Sequence, residues 1–474
     1  NQVSRVSCQP MRSSAASTSA AFASPHQLRM EAELDRPYLM WDREQRAFLR
    51  IGLKGIPIER REARPEVNVA IVIDKSGSMS GDKIRHAREA AAMAVERLDS
   101  RDYVSIVTYD STVEVVVPAM RVSDKEWILA QIEKIQASGT TALFGGVSKG
   151  ASELRRYLSP HRVNRVILIS DGQANVGPRS PEELAGLGQS LSREGITVTT
   201  IGLGLDYNED LMYRLAERSD GNHYFANQPR ELIAAFDREF GQTLSVVAQD
   251  VWVEITIEAP FRPIRILGRD GIVEGQTVRV QLNQVYGDGE KFVLVEVDVP
   301  KWNQREKVLH GADAGGRPPR RPQAASGSAA VAQPLAEVVV RYDNLQTRSN
   351  ARMTSRVMAQ FTDSQELIEK HRNAMVAAEV VKYDAARQNE IAMRLRDEGR
   401  KDEAQQVLFS NRVMLESKAK ELNAPALRGM AREQEEAAGN LDADSWGEQR
   451  KKMRVQQFQM QRDSLKDIEK SGGR

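Results

Sequence analysis

The chain has 474 residues, 41% of them hydrophobic and 28% charged, with a formal net charge of +1 at pH 7; that length suits two to four cores and that balance is globular. So small a net charge excludes a general pull toward nucleic acid or anionic membranes, and no aromatic-rich basic stripe argues for nucleic acid locally. The single cysteine, Cys8, excludes an internal disulfide and a cysteine-built zinc site, and the longest apolar runs, such as Val67 to Ile73 and Val163 to Ile169, fall far short of the ~20 residues of a helical membrane span.

In chain order, residues 1–27 read as a flexible N-terminal tether, because 9–25 are rich in Ser and Ala. The chain starts at Asn1 rather than Met, which points to a processed or trimmed start. Ala21-Phe22-Ala23 has the look of a signal cleavage site but lacks the apolar region that should precede it. Residues 28–64 hold two period-2 runs, Arg29 to Trp41 and Arg46 to Ile58, expected as a strand pair. Beyond Arg64 apolar strands alternate with helical stretches. The strands expected are Val67–Asp74, Tyr103–Tyr109, Thr112–Val117, Arg165–Ser170 and Thr197–Gly202. The helices expected are Asp82–Leu98, Asp124–Ile135, Phe144–Leu158, Pro181–Arg193, Glu209–Arg218 and Pro229–Thr243. That alternation predicts an α/β fold over 65–243, a doubly wound, mostly parallel sheet covered on both faces.

From Ser245 the period returns to two, through Asp250–Ala259, Ile264–Leu267, Thr277–Gln284, Lys291–Val299 and Ala336–Tyr342. A β-sandwich over 244–345 is expected, with a disordered loop at 311–334 where Gly, Pro, Ala and Ser dominate. The strands of 28–64 are expected to join it, which makes the α/β domain an insertion. Residues 355–470 are rich in Ala, Glu, Lys, Arg, Gln and Met and are expected to form a C-terminal helical tail of three or four helices, broken at Gly399-Arg400, Asn423-Ala424-Pro425 and Gly439-Asn440.

The chemistry gathers where the first α/β strand ends, at Asp74-Lys75-Ser76-Gly77-Ser78-Met79. In an open α/β sheet, ligands bind beyond the carboxyl ends of the strands, and this turn presents one carboxylate and two hydroxyls there. Hard oxygen donors suit Mg²⁺, Ca²⁺ or Mn²⁺. Ser138-Gly139-Thr140-Thr141-Ala142-Leu143 before a helix and Ser170-Asp171-Gly172 after a strand offer further oxygens. Asp-x-Ser-x-Ser alone is a weak pattern, since Asp, Ser and Gly are ordinary turn and cap residues; the two later pieces, in order and in context, strengthen it.

At this point the sequence resembles the von Willebrand factor A-type domains, whose metal-ion-dependent adhesion site uses Asp-x-Ser-x-Ser, a distant Thr and a distant Asp. The resemblance implies metal ligands at Asp74, Ser76, Ser78, Thr141 and Asp171, with Thr140 as the fallback for Thr141. It implies a divalent cation, Mg²⁺ first with Ca²⁺ or Mn²⁺ as alternatives, and one coordination position left for an Asp or Glu of a partner protein. Lys75 reads either as a flanking charge that attracts acidic ligands or as a solvated surface lysine. The stretch from Asn164 to Gly177, with Ile201-Gly202-Leu203-Gly204 and Asn208 to Met212, resembles more narrowly the bacterial calcium-activated chloride channel homologues, relatives of inter-alpha-trypsin inhibitor heavy chains. That likeness, together with the tether, implies an extracytoplasmic site in the periplasm or cell envelope, the alternative being the cytoplasm.

The function expected is a non-enzymatic, metal-dependent protein-binding module. An alternative is a scaffold that works through its C-terminal helices. A remote alternative is a serine hydrolase, since Gly146-Val147-Ser148-Lys149-Gly150 matches Gly-x-Ser-x-Gly and Asp171 and His223 follow in order. Its context is wrong, because a nucleophile elbow needs a strand before the serine and Ser148 falls inside an expected helix.

Overall fold

The structure, a computed structural model, describes residues 27–58, 64–139, 141–172, 177–301 and 331–462. The expected tether except Gln27, Thr140, residues 311–330 of the expected loop, and the tail beyond Arg462 lie outside those residues.

Before the α/β layer stand β1 (Leu28–Leu34), β2 (Tyr38–Met40) and β3 (Gln45–Gly55). The layer is built from β4 (Glu66–Asp74), α1 (Asp82–Arg97), β5 (Tyr103–Tyr109), β6 (Val113–Arg121), α2 (Lys125–Glu133), α3 (Leu143–Arg155), β7 (Arg162–Ser170), α4 (Pro181–Arg193), β8 (Ile196–Leu203), α5 (Glu209–Arg218), β9 (His223–Ala226) and α6 (Pro229–Leu244). Its six-stranded sheet runs in the order β6-β5-β4-β7-β8-β9. All neighbours are parallel except β5 and β6.

Strand β4 shows why the sheet is covered twice. Val67, Val69, Ile71 and Ile73 pack against α1, α2 and α6, whereas Ala70 and Val72 pack against α3, α4 and α5. A strand apolar on both faces must be sandwiched between helices. Local signals fix the helix starts: Asp124 caps α2 through Trp127 N, Ser180 and Glu183 form a capping box on α4, and the Asn208 side chain accepts from Asp210 N and Leu211 N on α5. The chain leaves β4 toward β5 on one side and later returns to β7 on the other, so the order reverses between β4 and β7. The crevice that such a reversal opens lies beyond Asp74 and Ser170.

After α6 come β10 (Val246–Ile257), β11 (Arg262–Leu267), β12 (Ile272–Glu274), β13 (Thr277–Tyr286), β14 (Glu290–Val299), β15 (Val331–Asn344) and β16 (Ser349–Thr362). With the first three strands they make two sheets, β1-β3-β14-β11 and β12-β13-β10-β15-β16-β2. Pairing is antiparallel except for β2 on β16. One core lies between the sheets, with Leu49, Ile51 and Leu53 from one and Val251, Val253, Ile255 and Val340 from the other. Strands on either side of the α/β layer thus pair directly, as in Ile51 with Val293.

Two expectations are corrected here. Residues 355–362, expected as the start of the helical tail, belong to β16. Their Met, Ala, Arg and Gln favour helix in isolation, but pairing along the whole of β15 and an alternating exposure override that preference. Val331–Pro334, expected inside the loop 311–334, already form the first part of β15.

The tail itself is α7 (Gln365–Lys370), α8 (Ala374–Asp397), α9 (Lys401–Glu421), α10 (Pro425–Gly439) and α11 (Ala443–Arg462). Its turns fall at Gly399 and Asn423, which take φ of +81° and +49°. Val376 of α8 packs on Leu267, Phe292 and Leu294 of the four-stranded sheet. Helix α11 returns to the α/β layer, where Lys451 Nζ bonds Glu209 at 2.8 Å and Arg450 and Arg454 reach Asp210 at 2.7 and 2.6 Å. Burial alone would raise both carboxyls, but Lys451 and Arg450 hold Glu209 below its ordinary value, and Arg454 and Arg450 do the same for Asp210.

Candidate metal centre

The structure brings Asp74, Ser76, Ser78, Thr141 and Asp171 together beyond the carboxyl ends of β4 and β7. Register does the first part: Ile73 pairs with Ile169, so Asp74 and Ser170 leave the sheet side by side. Ser170 Oγ donates to Asp74 Oδ2 at 2.7 Å, and Ser76 N donates to Asp74 Oδ1 at 2.8 Å. A short 3-10 turn at Gly77–Met79 swings Ser78 back, so that Ser76 Oγ and Ser78 Oγ stand 3.1 Å apart and Ser78 Oγ donates to Asp171 Oδ1 at 2.7 Å. Thr141 enters from the segment before α3. A Cβ placed on Gly172 would meet Thr141 Oγ1 at 2.9 Å and Asp74 Oδ2 at 3.2 Å, so both oxygens face the same small space. Thr140 lies outside the described residues.

That geometry makes Gly172 a residue the space requires. Gly172→Ala is expected to push Thr141 away and weaken Mg²⁺ binding by about 10- to 100-fold, the usual scale for disturbing residues behind a metal. Titration calorimetry with Mg²⁺ checks it, and an unchanged affinity would show that Thr141 is not a ligand.

Lys75 is neither of the things expected of it. Its side chain is largely buried and its Nζ bonds Asp110 Oδ2 at 2.7 Å. Asp110 also accepts from Thr112 N at 2.8 Å and Ser138 Oγ at 2.9 Å. Burial pushes that carboxyl up, but Lys75, Thr112 and Ser138 outweigh it and hold it well below the usual carboxylate range. Asp110 thereby ties the turn of residues 74–79 to the loop before α3, helped by Gly77 N donating to Gly139 O at 3.1 Å. Asp110 and Lys83, which bonds Asp171 Oδ2, escape the sequence reading, and Ser170 and Gly172 enter it only as flanks of Asp171.

A divalent ion suits this donor set. Asp74 is 0% exposed, and no Lys or Arg pairs with it among the described residues. Burial, and secondarily Asp171, pushes its carboxyl above the ordinary value. Hydrogen bonds from Ser76 N and Ser170 Oγ offset only part of the cost of burying it, and a cation would offset more. Among the described residues there is no group of three or more His, Cys, Asp or Glu able to hold a metal; the further protein oxygens beside Asp74 and Asp171 are the hydroxyls of Ser76, Ser78 and Thr141.

The hydrolase constellation is not assembled. Ser148 lies within α3, and Asp171 is engaged by Ser78 and Lys83. His223 Nδ1 lies 2.9 Å from Thr200 Oγ1, with its ring near Tyr207 and Tyr213. Burial above all pushes this imidazole down to about 4 from 6.5. The unfolded chain therefore takes up this proton at higher pH than the fold does. Stability is fully present above about pH 6.5 and falls by up to about 3 kcal/mol toward pH 4. Urea unfolding at pH 7 and pH 4.5 should show a smaller pH dependence in His223→Leu than in the natural protein.

A doubly wound sheet with an Asp-x-Ser-x-Ser turn, a Thr and an Asp gathered at its switch point is the arrangement of the von Willebrand factor A-type fold. Residues 68–238 match the family model of the von Willebrand factor type A domain, so this chain contains such a domain. Over 214 residues it is 29% identical to the uncharacterized protein YfbK of Escherichia coli (strain K12), a stretch covering 45% of this chain and 37% of that one. Over 283 residues it is 26% identical to human inter-alpha-trypsin inhibitor heavy chain H3, covering 55% and 31%. The match thus spans well under half of either relative. Among solved structures it is similar to the ArnB paralog VWA2 from Sulfolobus acidocaldarius, with 17% identity, a TM-score of 0.61, and 92% of this chain and 98% of that chain covered. A von Willebrand factor type A protein from Catenulispora acidiphila gives 17% identity, a TM-score of 0.64, and 86% and 91% coverage. The shared fold takes in the two-sheet unit and helices as well as the α/β layer.

Proposed function

We propose that Asp74, Ser76, Ser78, Thr141 and Asp171 hold a divalent cation, Mg²⁺ before Ca²⁺ or Mn²⁺, and that the ion grips a Glu or Asp of a partner protein. The observation that carries this reading is Asp74, a fully buried carboxylate without a cationic partner among the described residues, facing hydroxyls and a second carboxylate. Few of the donors are charged, so a bound ion stays electrophilic and gains by completing its shell with an external carboxylate. The protein then acts by binding, without catalysing a reaction, and we place it outside the cytoplasm, in the periplasm or cell envelope. Support for that location is the sequence resemblance; separately, no helix among the described residues is long and apolar enough to cross a membrane. The test is a pull-down from extract of the source organism with Mg²⁺ and with EDTA. A partner held only with Mg²⁺ supports the reading, and partners indifferent to EDTA sink it.

The scaffold reading keeps one observation in its favour. Phe409 and Val413, one turn apart on α9, are 56% and 47% exposed. If Phe409→Ser with Val413→Ser releases a partner that EDTA leaves bound, the helical tail rather than the metal site carries the binding.

A further inference from the structure

Lys83 stands where a lysine is least expected. It lies in the first turn of α1, beside a helix N-terminus, whose partial positive charge disfavours cations. Its Nζ nevertheless bonds Asp171 Oδ2. The side chain is held there, only 26% exposed, with Asp171 at 0%. A Cβ on Gly204, in the turn after β8, would touch Lys83 Cε and Nζ at 3.6 Å, so the ammonium lies beside that turn as well as beside Asp171 at the end of β7. The other nearby lysine, Lys75, is neutralised by Asp110. Lys83 is therefore the ammonium bonded to a candidate metal ligand.

We propose that Lys83 is a positioning and specificity-determining residue of the ion site, which gives up affinity for the cation to gain affinity for an anionic ligand group. The inference rests on the metal-site reading above. Asp74 and Asp171 together would cancel the charge of a divalent ion, and a neutral centre has little long-range hold on a carboxylate. Lys83 restores one positive charge at the site. By occupying Asp171 Oδ2 it leaves Oδ1, beside Ser78, to face the ion or its water, and so limits how much negative charge the ion receives. Both effects favour a partner's carboxylate as the completing ligand.

The experiment uses the full chain with Mg²⁺ and Mn²⁺ alone as metal probes and an immobilised polyglutamate peptide as the anionic probe. Lys83→Met keeps the length and removes the charge, Lys83→Gln serves if that variant folds poorly, and Lys83→Arg keeps the charge. Lys83→Met is expected to bind the metals about 10- to 100-fold more tightly, the scale of groups behind a metal, and to bind polyglutamate, when loaded, about as much more weakly. Lys83→Arg should restore both affinities toward the natural values. If the neutral variants bind metal no more tightly, or lose metal and peptide together, Lys83 only packs the loop and the proposal falls. If the natural protein and every variant bind neither metal, the metal-site reading fails and takes this proposal with it, a pattern distinct from the first.

Discussion

In the presence of Mg²⁺, Asp74→Ala and Asp171→Ala are each expected to lose more than about 100-fold in ion affinity, because removing a ligand exceeds the cost of disturbing its neighbours. At an ion concentration of about 100 times its Kd, the natural protein should gain about 2.7 kcal/mol of stability, and neither variant should gain it. Without metal the order reverses for a milder change. The raised Asp74 carboxyl means that the fold disfavours its charged form. The metal-free fold therefore loses stability as pH rises from 3.8 through the raised value, and Asp74→Asn escapes that loss, with Ser170 able to turn its hydroxyl to meet the amide. In EDTA at neutral pH, Asp74→Asn should melt above the natural protein, and the gap should close as pH falls. Thermal unfolding of both proteins with Mg²⁺ and with EDTA reads all of this. An ion-induced rise that survives in Asp74→Ala would place the ion elsewhere.

The largest effect on folding is expected at Arg165. It is 0% exposed on β7 and forms a buried ion pair with Glu239 of α6, also 0% exposed. It also bonds Thr197 Oγ1 at 3.0 Å, and Gln284 Oε1 and Tyr286 Oη on β13 at 2.5 and 2.9 Å. One guanidinium thus ties together a strand, the last helix of the α/β layer and the two-sheet unit. Arg165→Met strands the Glu239 carboxylate without its cation and should cost about 3–5 kcal/mol, a large share of the ~5–15 kcal/mol that holds a typical domain folded. Arg165→Met with Glu239→Leu removes both charges and should recover much of the loss. Urea unfolding at pH 7 compares the three proteins; a single variant within about 1 kcal/mol of the natural one would mean that water reaches Glu239.

Much of the α/β layer was legible because five of its six strands carry their own signal; β9, only four residues long, was not expected. The apolar run of β4 ends at Asp74, and Asn208 with Glu209 and Asp210 marks the start of α5. Strand β16 was not legible, since its Met, Arg, Ala and Gln prefer helix and only the partner β15 decides otherwise. The role of Lys75 was equally hidden. Its position in the motif suggests a charge open to acidic ligands, but Asp110, far off in sequence, absorbs that charge.

By itself the sequence determined the alternation of strands and helices and the two-faced apolar character of the central strands, because periodicity is a local property of a chain; the oxygen donors at Asp74, Ser76, Ser78, Thr141 and Asp171 came as a set only through the family resemblance. Tertiary structure alone decided that Asp74 is buried without a cation, that Lys83 rather than Lys75 engages the second carboxylate, and that α11 docks on α5 through Glu209 and Asp210. Those outcomes depend on burial and on charges brought together from distant parts of the chain, and the energy of a charge is set by its surroundings rather than by its neighbours in sequence.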